Sequence, residues 1–175
     1  MLTMKRESVL KWDEYFMATA FLSSMRSIDL NRQGGACIVN MDNRIIGIGY
    51  CGFPRGLDQV PVSGDESDDP SLYTCHSIMN AILNKNQYDI RGCRIYCTHF
   101  PCNECAKMII QSGMTRVTYS IDCMSHSNHD ASRLLFTLAG ISVCRFSPGK
   151  GSAVVLGASA DICQKRAPTL PECVE

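Results

Sequence analysis

Apolar residues at Trp12, Tyr15, Phe16, Ala20 and Leu22 recur at helical spacing, and the pattern predicts a helix over Trp12–Arg26 with Asp13 and Glu14 in its first turn. Two β-branched runs follow, Ala36–Val39 and Ile45–Gly49, separated by the turn-like Asn40-Met41-Asp42-Asn43-Arg44; together they predict a hairpin. Residues 51–70 are rich in Gly, Pro, Asp and Ser and predict a loop. A helix is expected over Cys75–Asn84, with His76 in its first turn. A strand over Arg94–Thr98 comes next, then a helix opened by Pro101 as an N1-like residue and ending near Gly113. Val117–Ser120, Asp130–Ala139 and Ser142–Phe146 read as strand, helix and strand. The order α-β-β-α-β-α-β-α-β predicts an α/β protein with a mixed sheet flanked by helices. Residues 148–175 show no consistent period and are set apart as a tail behind a domain spanning 7–147.

Composition narrows the classes. A chain of 175 residues with 45% hydrophobic content can bury one full core, and nothing suggests a second. With 17 basic and 17 acidic residues the formal charge is zero, so no nucleic-acid partner is expected. No apolar run approaches the roughly 18 residues that span a bilayer, and Met1-Leu2-Thr3-Met4-Lys5-Arg6-Glu7 lacks a signal-peptide core, so no membrane association and a cytosolic location are expected. The 11 cysteines then read as free thiols or metal ligands, with Cys37, Cys93, Cys97 and Cys144 in apolar, strand-like settings where Cys acts as a small hydrophobe.

The chemistry concentrates between Cys75 and Cys105. His76 is followed by Pro101-Cys102-Asn103-Glu104-Cys105, and a histidine with a Pro-Cys-x-x-Cys pair is the ligand set of zinc-dependent nucleobase deaminases. His76, Cys102 and Cys105 at two helix starts would meet at one point, where the dipoles favour thiolates. Three ligands leave a fourth position open, as catalytic zinc does, and a water there becomes acidic enough to attack an amidine carbon. The deaminase signature also carries Glu two residues after the histidine, and Ile78 stands at that place. Taken alone, the Cys-x-x-Cys pair is equally compatible with a redox or structural-zinc role, and Cys75 or Cys97 could close the site as a fourth ligand. His99, His126 and His129 read as surface or hydrogen-bonded side chains, and Glu104 as a carboxylate whose helical spacing directs it away from the metal.

From Lys5 to Phe146 the chain resembles the deoxycytidylate (dCMP) deaminase family of the cytidine deaminase superfamily. The resemblance rests on Trp12-Asp13-Glu14-Tyr15-Phe16-Met17, Gly35-Ala36-Cys37-Ile38-Val39-Asn40, the run Ile48 to Gly56, Asn80-Ala81-Ile82-Leu83-Asn84 and Phe100 to Lys107. It implies a three-layer α/β/α sandwich with a five-stranded mixed sheet and hydrolysis of dCMP to dUMP and ammonia. It also implies a zinc ion, substrate contacts at Asn40 and position 51, dCTP and dTTP as effectors, and a homo-oligomer, commonly a hexamer. Free cytidine or deoxycytidine is the weaker substrate reading, because Phe100-Pro101-Cys102-Asn103-Glu104-Cys105 matches the monophosphate deaminases better.

Departures from the family pattern fall on substrate chemistry. The family's His-Ala-Glu reads His76-Ser77-Ile78, which removes the group that moves protons between water, ring and leaving amine. The sugar-contacting Asn of Tyr-Asn-Gly reads Cys51, and the effector-linked stretch after Gly56 reads Leu57-Asp58-Gln59-Val60. Ser-Asp-Lys-Tyr, near the nucleotide phosphate, reads Ser120-Ile121-Asp122-Cys123-Met124, and Ser-Lys-Asp-Pro reads Ser27-Ile28-Asp29-Leu30. The expectation is a protein that keeps its zinc ligands and has absent or strongly reduced activity. The alternative is a non-catalytic zinc- and nucleotide-binding homologue that regulates or co-assembles with an active deaminase.

Overall fold

The computed structural model describes residues 9–29, 33–57, 70–122 and 127–147. The tail at 148–175, the loop residues 58–69, and Leu30, Cys123, Met124 and His126 fall outside the described residues, as do the first residues of the expected domain. The elements are α1 (Trp12–Ser24), β1 (Gly35–Val39), β2 (Ile45–Tyr50), a 3-10 turn (Pro70–Tyr73), α2 (Ser77–Leu83), β3 (Arg94–His99), α3 (Asn103–Gln111), β4 (Arg116–Ile121), α4 (Ser127–Leu138) and β5 (Ser142–Arg145). They build one five-stranded mixed sheet in the order β2-β1-β3-β4-β5. β1 runs antiparallel to both β2 and β3, whereas β3, β4 and β5 are parallel. Parallel neighbours need a crossover, and α3 and α4 supply the two. Because both crossovers step the same way along the sheet, both helices come to rest on one face, where they pack on each other.

The opposite face is covered by α1. Its start is fixed by the Lys11 backbone N–H, which donates to Glu14 Oε2 at 2.9 Å, one half of a capping box. The helix buries Phe16, Met17, Ala20 and Phe21 against Cys37, Val39 and Tyr96. The helical period is as the sequence pattern predicts, but Trp12 (57% exposed) and Leu22 (68%) point to solvent, and Met17 and Phe21 take up the packing stripe. On the other face Ala36, Ile38, Ile95 and Val117 of the sheet meet Ala81, Ile82, Ile109 and Phe136 from the three helices.

How closely α2 lies on the sheet is set by two glycines. A Cβ at Gly49 would strike the Ser77 carbonyl and the Ala81 amide, and one at Gly47 would strike the Ala81 carbonyl. Gly47 and Gly49 face the same side because they are two apart on one strand, and the register shift at Ile38/Val39 leaves Ile46, just before them, unopposed. The hairpin, the three later strands and the helix order match the sequence expectation, with ends shifted by one to three residues. Two starts differ in a way that matters for chemistry. His76 and Cys102 have extended backbones (ψ 148° and 170°), so each caps its helix rather than sitting in the first turn, and Pro101 precedes the cap instead of occupying N1. Among the described residues, no helix is long and apolar enough to cross a membrane.

Candidate metal centre and substrate cavity

The N-termini of α2 and α3 converge beside the C-terminal end of β3, the usual place for a site in a sheet of this kind. His76 is carried there by a short bridge: Cys75 and Gly52 exchange backbone hydrogen bonds of 2.8 and 3.2 Å, tying the start of α2 to the chain leaving β2. Asn80, one turn into α2, donates its side-chain amide to the Tyr50 carbonyl at 2.8 Å and locks the helix to the same strand end. β3 delivers Phe100 and Pro101, and Cys102 then begins α3 with Cys105 three residues on.

His76, Cys102 and Cys105 come together as one group whose ligand atoms all lie within 4.8 Å of one another. His76 Nδ1 is 3.3 Å from each sulfur. The Cys102 thiol is pulled down to about 3, chiefly by a hydrogen bond from the Cys105 thiol, against burial, with the His76 ring and the Cys105 backbone N–H adding to it. One imidazole and two thiols, one already favouring its thiolate, make a donor set suited to zinc. Neither Cys75 nor Cys97 joins the group; Cys97 is turned to the Thr118 carbonyl at 3.6 Å. No disulfide joins the eight described cysteines to one another, and the Cys37 thiol is pushed up to about 12 by burial under α1.

Beside the donors lies a cavity of about 30 Å³, walled by Ile78, Cys51, Ser77, His99 and Phe100 as well as the three donors. Ile78 is 4% exposed and part of the core between α2 and the sheet. No carboxylate lines this cavity among the described residues. Glu104 points outward, where it meets Lys107 Nζ at 2.6 Å with most of its side chain in solvent. Cys51 stands against the cavity, held by its N–H to the Gly34 carbonyl at 3.0 Å. Asn40 is not brought there: it sits at the far end of β1, where its Oδ1 accepts the N–H groups of Asp42 and Arg44 and closes the hairpin turn. Sequence reasoning passed over Gly34, whose missing Cβ leaves room for the Cys51 sulfur, and set aside His99, whose Nδ1 is 2.9 Å from Thr98 Oγ1. The Gly34-Gly35 pair at the start of β1 is the signal that could have pointed to the first. His129 is buried edge-on to Phe100 rather than at the surface, and Arg133 lies over the same ring at 4.4 Å while pairing with Asp122 at 2.7 Å.

A three-layer α/β/α fold with a histidine and a Cys-x-x-Cys pair at facing helix starts defines the zinc-dependent deaminase class. The family model for the cytidine and deoxycytidylate deaminase zinc-binding region matches residues 10–121. The deoxycytidylate deaminases of Pongo abelii and Homo sapiens are 49% and 48% identical, each over 87% of this chain and 88% of the relative. The dCMP deaminase of cyanophage S-TIM5, solved in complex with dCMP and dUMP, superposes with a TM-score of 0.64 at 29% identity over 76% of this chain and 95% of that one. The chain belongs to the deoxycytidylate deaminase family.

Proposed function

We propose that this protein is a zinc- and nucleotide-binding member of the dCMP deaminase family in which hydrolysis of dCMP to dUMP is absent or strongly reduced. The observation that carries the proposal is the hydrocarbon wall at Ile78, next to the His76–Cys102–Cys105 donors, in a cavity without a carboxylate among its described lining. A zinc held by those three side chains supplies a Lewis acid that activates water towards the pyrimidine. What the chain itself must then provide is a group that takes a proton and returns it to the ring nitrogen and the leaving amine. Ile78 has no titratable atom, and Glu104 is committed to Lys107 at the surface.

A positioned acid–base group contributes roughly 10²–10⁴ in rate. One residue serving several transfers would sit at the top of that range, so the turnover expected of this chain is marginal. Cys51, in place of a sugar-binding amide, removes a further hydrogen bond, worth about 0.5–1.5 kcal/mol. The nucleotide proposed for the site is dCMP or a related pyrimidine deoxynucleotide, by analogy with the relative solved with dCMP and dUMP. Effectors of the dCTP and dTTP type, a homo-oligomer of up to six copies and a cytosolic location belong to the same proposal. So does the alternative role, a non-catalytic subunit that regulates or co-assembles with an active deaminase.

The test is dUMP release from dCMP by zinc-loaded protein, with and without dCTP, beside the Ile78→Glu variant. The expected result is about one zinc per chain, little or no product from the native protein and a gain of at least 10²-fold from Ile78→Glu. Robust native turnover that survives Glu104→Ala would show that the proton carrier lies elsewhere. Two inert proteins would mean that substrate binding has gone as well, leaving the regulatory role.

A further inference from the structure

A larger cavity lies on the opposite face of the sheet, beyond the edge of α1, where β4 and β5 are not covered by that helix. Its volume is about 270 Å³, and its wall includes Lys11, Asp13 and Glu14 at the start of α1, Arg116 and Thr118 of β4, and Arg145 of β5. Arg116 and Thr118 are two apart on one strand and so share a face. None of these residues touches the metal-capable group or its cavity.

Accounting for the polar atoms shows an imbalance. Glu14 Oε2 accepts the Lys11 backbone N–H, and Asp13 Oδ1 accepts the Tyr96 hydroxyl. The nearest Arg116–Asp13 approach is only 4.0 Å. On the donor side, Arg116 Nε is buried with no hydrogen-bond partner. Thr118 is 3% exposed, and its hydroxyl also has none. A buried hydroxyl and guanidinium N–H left unpaired cost free energy that a native site ordinarily recovers through a ligand or water. Three cations face two carboxylates that already serve the helix cap and the tyrosine, so the missing partner is an acceptor carrying negative charge. The start of α1 adds backbone N–H groups of the same polarity.

We infer that this cavity is a second ligand site, for a phosphate group, with Arg116, Thr118 and the Lys11 and Arg145 cations as its donors. The size supports a small occupant. The volume lies just below the range of about 300–1,000 Å³ usual for pockets holding drug-sized ligands, which suits inorganic phosphate or a small phosphate monoester. A dianion here would neutralise the local excess charge and pair both orphaned donors in one step.

The experiment is titration of the full-length, zinc-loaded protein with inorganic phosphate and, separately, with glycerol phosphate, followed by calorimetry and backbone amide NMR shifts on α1 and β4. Saturable binding is expected, weakening as ionic strength rises. Thr118→Val removes only the hydroxyl and keeps the shape; it should weaken binding about three- to tenfold. Arg116→Gln should weaken it about ten- to a hundredfold. Tighter binding of glycerol phosphate than of phosphate identifies a monoester site, and equal binding identifies a site for the free ion. No saturable binding means a cavity that holds only water or is filled by this chain, and overturns the inference. Binding of native strength in both variants places the anion elsewhere and overturns it equally. Zinc content unchanged in both variants confirms that the protein tested is folded, and a variant that loses its zinc is replaced by Arg116→Lys and Arg145→Gln.

Discussion

Two cavities among the described residues differ in size, charge and origin. The one at the starts of α2 and α3 is about 30 Å³, walled by sulfur, imidazole and hydrocarbon; the one beyond α1 is about 270 Å³ and ringed by charges. The first is framed by close backbone approaches and by two helix caps, so its donors are placed by the fold itself. The second is framed by charged and polar side chains from the start of α1 and from β4 and β5. Loss of a functional group therefore has different consequences in the two. At Ile78 the side chain is hydrocarbon in a hydrocarbon core, so on the proposed reading a proton carrier would be missing there while the fold and donor geometry stay intact. On that reading chemistry and scaffold are separable, because His76 and Cys102 cap their helices, Cys105 lies in the first turn of α3, and Ile78 sits on the core-facing side of α2.

The largest expected effect breaks the small cavity. Cys105→Ala removes one of three donors and leaves the Cys102 thiol without its principal hydrogen-bond partner. Elemental analysis of the purified variant should show loss of most of the zinc, about one per chain, expected of the native protein. Native zinc content in Cys105→Ala would mean that the metal, where present, is bound by other residues.

A smaller effect separates the frame from the donors. Gly49→Ala places a methyl group against the Ser77 carbonyl and the Ala81 amide, both backbone atoms that cannot rotate away. The start of α2 must lift, and His76 with it. Overpacking of this kind costs typically 1–3 kcal/mol. The melting temperature should fall, and zinc should be held more weakly than in the native chain though no ligand has been touched. A chelator titration checks this: equal zinc affinity in Gly49→Ala and native protein would show that α2 does not set the donor geometry.

Much of the frame was legible in the sequence because it rests on strong periodicities. β1 and β2 are β-branched runs around a turn of Asn and Asp, and the Pro-Cys-x-x-Cys spacing fixes where α3 begins to within two residues. The donor triad was legible for the same reason: residue types and spacing together carry it. What escaped was phase and orientation. The apolar pattern of α1 holds more candidates than one stripe can take, and only packing against Cys37, Val39 and Tyr96 decides that Met17 and Phe21 go inward and Trp12 outward. Asn40 reads as a motif residue, yet its amide closes the hairpin turn at the other end of β1. The large cavity was invisible because its parts, Lys11, Arg116, Thr118 and Arg145, come from three elements that only the sheet order brings together.

The smallest effect tests whether the charged region stabilises anything beyond its own helix. Glu14 accepts the Lys11 N–H at the start of α1, on the rim of the large cavity and on the opposite face from the metal-capable group. Glu14→Ala leaves that N–H to water and removes a carboxylate from the first turn, where the helix dipole favours it. Effects at such positions run about 0.5–2 kcal/mol. Denaturant unfolding should therefore show a lower midpoint with an unchanged slope, because the surface exposed on unfolding is the same. Zinc content and zinc affinity should match the native chain, in contrast to Gly49→Ala, since α1 touches the sheet through Phe16, Met17 and Ala20 and never reaches His76 or Cys102. A Glu14→Ala protein that also lost zinc affinity would mean that the two faces of the sheet are coupled, and the separation of scaffold from chemistry drawn from Ile78 would fail with it.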